Sequence, residues 1–228
     1  MSKKSPKSDS KNLQKSNKES AGIYIVIEGQ DGTGKTTHLD LLSKYFKNQG
    51  REVEIINESA MNRTGLPSTN ALVEAFLNKN FDLDPMTNVL LITAVRSELW
   101  RKISEPALAQ GKVVLSTRNW FSTLAYQHFG QGVSREIIEN TTKEFLPERY
   151  VKPDLSVILT LSDDERARRI KTRNNNSAKD TFESQGNDFQ TRVNRGYEQI
   201  ARELHAPIVD ASGTIDQVFA DILAELNL

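Results

Sequence analysis

From residue 22 onward, short apolar runs alternate with longer stretches in which apolar positions recur every three or four residues, the signature of strands alternating with helices. Ile23-Tyr-Ile-Val-Ile27 is rich in β-branched residues and bounded by glycines, which predicts a buried strand. Leu39, Leu42, Ser43 and Phe46 then share one helical face up to Gly50, and Glu52 to Ile56 reads as a second strand. A loop with Gly65 and Pro67 precedes predicted helices near 68–79 and 84–109, the latter closed by Gly111 as a C-cap. Val113 to Leu115 makes a third strand, followed by helices near 121–129 and 134–145. Leu155 to Leu159 is a fourth strand, leading into a charged helix from Asp163 to Arg173. A helix near 187–204, a short strand from Pro207 to Val209 and a helix from Thr214 complete the pattern.

Buried strands alternating with helices predict an α/β protein: a five-stranded parallel sheet covered by helices on both faces, hence three layers. Ligands in such sheets bind beyond the C-terminal ends of the strands. Residues 21–228 read as one domain. Residues 1–20 are lysines, serines and asparagines with a single leucine, too polar to offset the entropy of ordering, and are expected to form a disordered basic tail.

Composition removes several function classes. The 228 residues carry 30 basic and 30 acidic side chains, so no charge excess points to nucleic acid or an acidic membrane. The absence of cysteine excludes disulfides, thiolate metal sites and cysteine nucleophiles. No apolar run approaches the roughly 20 residues of a membrane span, and none resembles a secretory signal, so a cytoplasmic location is expected.

The chemistry begins directly after the first strand. Gly29-Gln-Asp-Gly-Thr-Gly34-Lys35-Thr36 fits G-x-x-x-x-G-K-[ST], with a strand before it and a helix after it, the P-loop arrangement. Glycines let successive backbone N–H groups converge on one anion, and the helix N-terminus adds its dipole. Lys35 is expected to reach the β and γ phosphates of ATP, and Thr36 to offer its hydroxyl to Mg²⁺, with Thr37 next in the helix. A mechanical ATPase would need an acid ending an apolar strand, but the strand at Val113 runs into Ser116-Thr-Arg118. A switch GTPase would need Asn-Lys-x-Asp after a later strand, and Asn78-Lys79 continues as Asn80-Phe81 in a helix end. Transfer of a phosphoryl group to a small acceptor is favoured, because several arginines stand where phosphates could be clamped. Arg96 falls inside the apolar stripe of Val89, Ile92, Leu99 and Ile103, where a charge needs either a partner or a snorkelling stem. Arg118 stands just beyond a central strand. Thr123 and Gln127 share a helix face and could offer hydroxyl and amide to one planar ligand.

Leu90-Leu-Ile-Thr-Ala-Val-Arg96, Thr117-Arg-Asn, Ser122-Thr-Leu-Ala-Tyr-Gln127 and Phe189-x-x-Arg192-Val-x-x-x-Tyr197 follow the order and approximate spacing of the thymidylate kinase family, which the chain resembles from about Ile23 onward. The resemblance implies a P-loop kinase fold with a mobile lid, transfer of the γ-phosphoryl of ATP to dTMP to give dTDP, Mg²⁺ as cofactor, and a homodimer. It implies an ATP site at Gly29, Gln30, Asp31, Gly32, Thr33, Gly34, Lys35, Thr36 and Thr37. It also implies that Asp31 accepts a hydrogen bond from the 3′-hydroxyl of the acceptor sugar and that Arg96 lies near the thymine and the acceptor phosphate. Arg118 would link that phosphate to the transferring group, Thr123 and Gln127 would read the thymine edge, and Tyr126 would line the sugar. The stretch at about 171–185 resembles the lid. Because Gly32 stands where some members carry a P-loop arginine, Arg173 is the expected lid arginine supplying transition-state charge, alongside Lys35 and Arg118.

The chain departs from the family pattern at named positions. Thr117 replaces an Asp near the metal. Asn57-Glu-Ser59 replaces an Arg-Glu-Pro turn, leaving Arg63 as the nearest substitute for an arginine on the acceptor phosphate. Ile92 stands where the family stacks a phenylalanine on the base, and Asn174-Asn-Asn176 lengthens the lid. All lie on the acceptor and metal side, so a kinase for another deoxynucleoside monophosphate or for a deoxynucleoside is the second reading, and a regulatory nucleotide-binding protein a more distant one.

Overall fold

The computed structural model describes residues 21–57, 66–78, 80, 83–173, 182 and 185–228, and excludes the side chains of Asn57 and Arg173. The expected tail at 1–20, Arg63, and most of the expected lid lie outside the described residues.

Strands β1 (Ile23–Gly29), β2 (Val53–Asn57), β3 (Val113–Thr117), β4 (Leu155–Thr160) and β5 (Ile208–Asp210) form one parallel sheet in the order β2-β3-β1-β4-β5. The period-2 alternation of side chains divides its residues between two cores. Tyr24, Val26, Val114 and Ile158 face one side, and Ile25, Ile27, Leu115 and Val157 the other. The second core is covered by α1 (Lys35–Asn48) through Leu39, Leu42 and Phe46, and by α10 (Ile215–Glu225) through Val218 and Ile222. On the first side lie α2 (Pro67–Leu77), α3 (Pro85–Leu99) and α9 (Asn187–Leu204), the last burying Val193, Tyr197 and Ile200. Among the described residues, no helix is long and apolar enough to cross a membrane.

The expected helix over 84–109 is one run with a change of pitch. Asp84 caps α3 by accepting from the Met86 N–H at 2.8 Å, and Pro85 opens it without wasting a donor. The chain then widens into a π-type turn over Trp100–Ser104, with the Glu105 N–H bonding back to Trp100, before α4 (Glu105–Ala109). Pro106 follows at once: it has no N–H for the Lys102 carbonyl, and its ring crowds that carbonyl, which favours the looser winding. The expected helix at 121–129 is likewise a single turn, α5 (Trp120–Thr123), that widens over Leu124–Gly130. Against this wide segment packs α9, whose Gly196 admits the Phe129 ring: a Cβ there would stand 2.7 Å from Phe129 Cδ2. The remaining helices are α6 (Arg135–Phe145), α7 (Glu148–Val151), which no periodicity announced, and α8 (Asp163–Arg173).

Register decides where function can sit. Ile27 pairs with Thr117, and the Arg118 N–H donates to the Ile27 carbonyl at 3.1 Å. The glycine-rich loop after β1 and Arg118 after β3 therefore emerge side by side at the C-terminal edge of the two central strands.

Candidate active site

The loop between β1 and α1 is built as its sequence demands. Gly29, Gly32 and Gly34 have φ of 135°, 91° and 89°, values that side chains disfavour. Thr33 Oγ1 and Lys35 Nζ each donate to the Gln30 carbonyl at 2.8 Å, and Lys35 Nζ lies 3.9 Å from Asp31 Oδ1. Thr36 and Thr37 are exposed in the first turn of α1. Gln30 is buried and turned away from the loop: its Nε2 donates to the Gln190 carbonyl at 2.7 Å, while Gln190 Nε2 donates to the Phe182 carbonyl at 2.7 Å.

Arg118 closes over this loop with a positive φ of 75°. One arm of its guanidinium, Nη1, donates to the Gly29 carbonyl at 3.2 Å and to Ser122 Oγ and Tyr197 OH, both at 3.0 Å. The other, Nη2, donates to Asp31 Oδ1 at 2.5 Å. Tyr126 OH donates to Asp31 Oδ2 at 3.0 Å, and the guanidinium carbon lies 5.2 Å from the Tyr126 ring centre. Burial opposes the charge on Arg118, but Tyr126, Asp31 and Tyr197 outweigh it and raise its pKa further. Burial, reinforced by the Asp31 charge, pushes the Tyr126 phenol far above its usual range; burial and then Glu28 do the same to Tyr197.

Beneath Arg118 lies Glu28, a fully buried carboxylate at the end of β1. It accepts from the Asn119 N–H at 2.6 Å, from Ser122 N–H and Oγ at 3.1 and 2.7 Å, and from Tyr197 OH at 3.1 Å. These bonds pin the turn that follows β3. The sequence reading passed over Glu28, although an acid ending an otherwise apolar strand is a signal in itself.

A cavity of about 60 Å³, open to solvent, lies beside the Asp31–Arg118 pair. Ile92, Arg96, Thr123, Tyr126 and Gln127 all line it. Arg96 is buried and Nη1 donates to Thr123 Oγ1 at 2.5 Å, so its charge is not carried to the surface on a snorkelling stem. Ser122, Phe76, Leu77 and Phe182 complete the lining. Phe76 and Leu77 were indistinguishable from an ordinary core stripe, whereas Phe182 was a lone aromatic in a charged stretch. Its ring centre lies 5.1 Å from that of Phe76 and 5.5 Å from that of Tyr126. Thr117 is fully buried within the sheet. Among the described residues, no group of three or more acidic or histidine side chains could hold a metal. Of the other expected site residues, Arg63 and the Arg173 side chain lie outside the description.

A phosphate-binding loop and a polar-apolar pocket that meet at one carboxylate define a P-loop kinase, one that phosphorylates a small acceptor. The family model for thymidylate kinase matches residues 27–222. A thymidylate kinase of Caldicellulosiruptor saccharolyticus is 32% identical over 202 residues, covering 88% of this chain and 94% of its own length. One from Prochlorococcus marinus is 36% identical over 203 residues, covering 86% and 92%. In three dimensions the chain is similar to the thymidylate kinase of Ehrlichia chaffeensis, with a TM-score of 0.68 and 24% identity over 90% of this chain and 98% of the other. The chain belongs to the thymidylate kinase family.

Proposed function

We propose that the protein transfers the γ-phosphoryl group of ATP to dTMP, giving dTDP and ADP. The observation that carries this reading is the sharing of Asp31: it belongs to the donor loop, yet Arg118 and Tyr126, which hold its two oxygens, both line the neighbouring cavity. An acceptor lodged there would lie against the donor loop, as in-line displacement requires.

In that displacement an oxygen of the acceptor phosphate attacks the γ phosphorus while the bond to the β-bridging oxygen breaks. No general base is needed, because the attacking phosphate is already deprotonated. Lys35 and Arg118 neutralise charge as it spreads over the transferring group, and Asp31 accepts from the 3′-hydroxyl of the acceptor. Arg96, Thr123 and Gln127 supply polar groups to the base, with Ile92, Phe76 and Phe182 giving apolar and aromatic area in place of a single stacked ring. The family resemblance adds Arg173 as a catalytic charge, Arg63 at the acceptor phosphate, and residues 171–185 as a lid on a single catalytic unit, 21–228.

Mg²⁺ would join through Thr36, the exposed hydroxyl of the first turn of α1. Glu28 is wholly buried, so Thr36 is the loop residue that would hold the ion. Bound there, the ion would screen the phosphates. Exposed Leu90, Ile137 and Phe145 on α3 and α6 support a homodimer. No feature of charge supports a nucleic acid partner, and a cytoplasmic enzyme is the corresponding expectation.

The test is ADP release with dTMP, dUMP, dCMP, dGMP, UMP and thymidine as acceptors, with Lys35→Ala protein as the blank. A clear preference for dTMP is expected. Preference for another acceptor would move the reading to that nucleotide, and silence with all of them would overturn it.

A further inference from the structure

Helix α8 lies across the donor loop, and contact is possible because Gly32 has no side chain. A Cβ at position 32 would stand 3.3 Å from Ile170 Cγ1 and 3.5 Å from Arg166 Cγ. A side chain on the loop would thus press on Ile170 and lie in ordinary contact with the stem of Arg166.

Arg166 differs from its neighbours Arg168 and Arg169. Arg168 and Arg169 are both held by Glu165 at 2.7 Å, and Arg169 also donates to the Ala211 carbonyl at 2.9 Å. Arg166 is only 6% exposed, and its Nε has no hydrogen-bond partner among the described residues. Burying a cation is costly unless an anion meets it. The anion for which the adjoining loop is built is a polyphosphate.

We infer that Arg166 is a phosphate-binding residue of the donor site, delivering from α8 onto the face of Gly32 the positive charge that the loop lacks at position 32. The inference deepens the proposed function and rests on it for the identity of the donor as ATP. It assigns this charge to a residue that the sequence motifs passed over, independently of Arg173. Its planar donors suit two phosphate oxygens at once, which a lysine cannot reproduce.

Calorimetric titration of the full chain with ATP and with ADP in Mg²⁺ buffer, and separately with dTMP, tests it on the wild type, R166M and R166K. R166M retains an unbranched stem over Gly32 and removes the charge; R166Q replaces it should R166M fail to fold. The neutral variant is expected to bind ATP and ADP at least tenfold more weakly, to keep its dTMP affinity within twofold, and to raise the KM for ATP, with R166K recovering part of the loss. A folded neutral variant that binds ATP within threefold of wild type would overturn the inference. A wild-type protein that binds ATP through Arg166 and phosphorylates no acceptor would instead sink the proposed function alone.

Discussion

Arg118 and Asp31, separated by 87 residues of chain, meet at 2.5 Å where the loops after β3 and β1 converge. The same guanidinium reaches back to the Gly29 carbonyl, so one side chain joins the donor loop to the wall of the neighbouring cavity.

Arg118→Ala should lower kcat by about two to three orders of magnitude, the cost of removing a donor aimed at developing charge. Arg118→Lys should restore little of it, because a single ammonium cannot address Gly29, Ser122 and Asp31 together. Steady-state kinetics with saturating ATP and dTMP decide the matter. A drop below about tenfold for the alanine variant would make Arg118 a structural residue.

Glu28→Ala strips acceptors from two buried backbone N–H groups, those of Asn119 and Ser122. At roughly 1–3 kcal/mol for each stranded donor, the loss of stability should be about 3 kcal/mol or more. Glu28→Gln should cost distinctly less: its remaining oxygen can serve the N–H groups while the Ser122 and Tyr197 hydroxyls rotate to accept. Urea unfolding of the two variants provides the comparison, and equal destabilisation would contradict the bonding described.

Gln190 connects the donor loop to the cavity wall, since Gln30 donates to it and it donates to the Phe182 carbonyl. Removing its amide in Gln190→Ala frees Phe182, at about 1 kcal/mol for the lost bond. The KM for the acceptor should therefore rise about fivefold, with kcat changing less. An effect on the KM for ATP alone would show that the tether serves the donor loop only.

Tyr126 and Tyr197 are held protonated in the folded protein, chiefly by burial. The unfolded chain ionises its tyrosines near pH 10. A group with a raised folded pKa gives its full stabilisation below the unfolded value and loses it as pH climbs, so stability should fall from about pH 10 upward. In absorbance titration at 295 nm, both phenols should ionise only with unfolding. Tyr126→Phe and Tyr197→Phe should leave the native part of the curve unchanged, and a smaller native step in either variant would contradict the assignment.

Much of this could be read from the chain because period and punctuation agreed. Asn187–Leu204 has a continuous apolar stripe and forms a helix over the expected span, and the P-loop is contiguous and carries its own glycines. What escaped was non-local. The widening at Trp100–Ser104 depends on how a proline is accommodated within a long helix, and that at Leu124–Gly130 lies where α9 packs closely at Gly196. Phe76 and Phe182 line one cavity although more than a hundred residues separate them, and no local pattern pairs them. Arg166 looks like any member of a charged helix until α8 is set down on Gly32.

The bond from Tyr197 to Glu28 spans 169 residues. During synthesis the signature loop leaves the ribosome well before α9, so the carboxylate at its base waits through 169 further residues before its last donor arrives. A nascent or truncated chain ending before α9 would display the complete P-loop motif with its supporting network unfinished. Recovery of activity on refolding should accordingly track the docking of the C-terminal helices rather than formation of the motif itself.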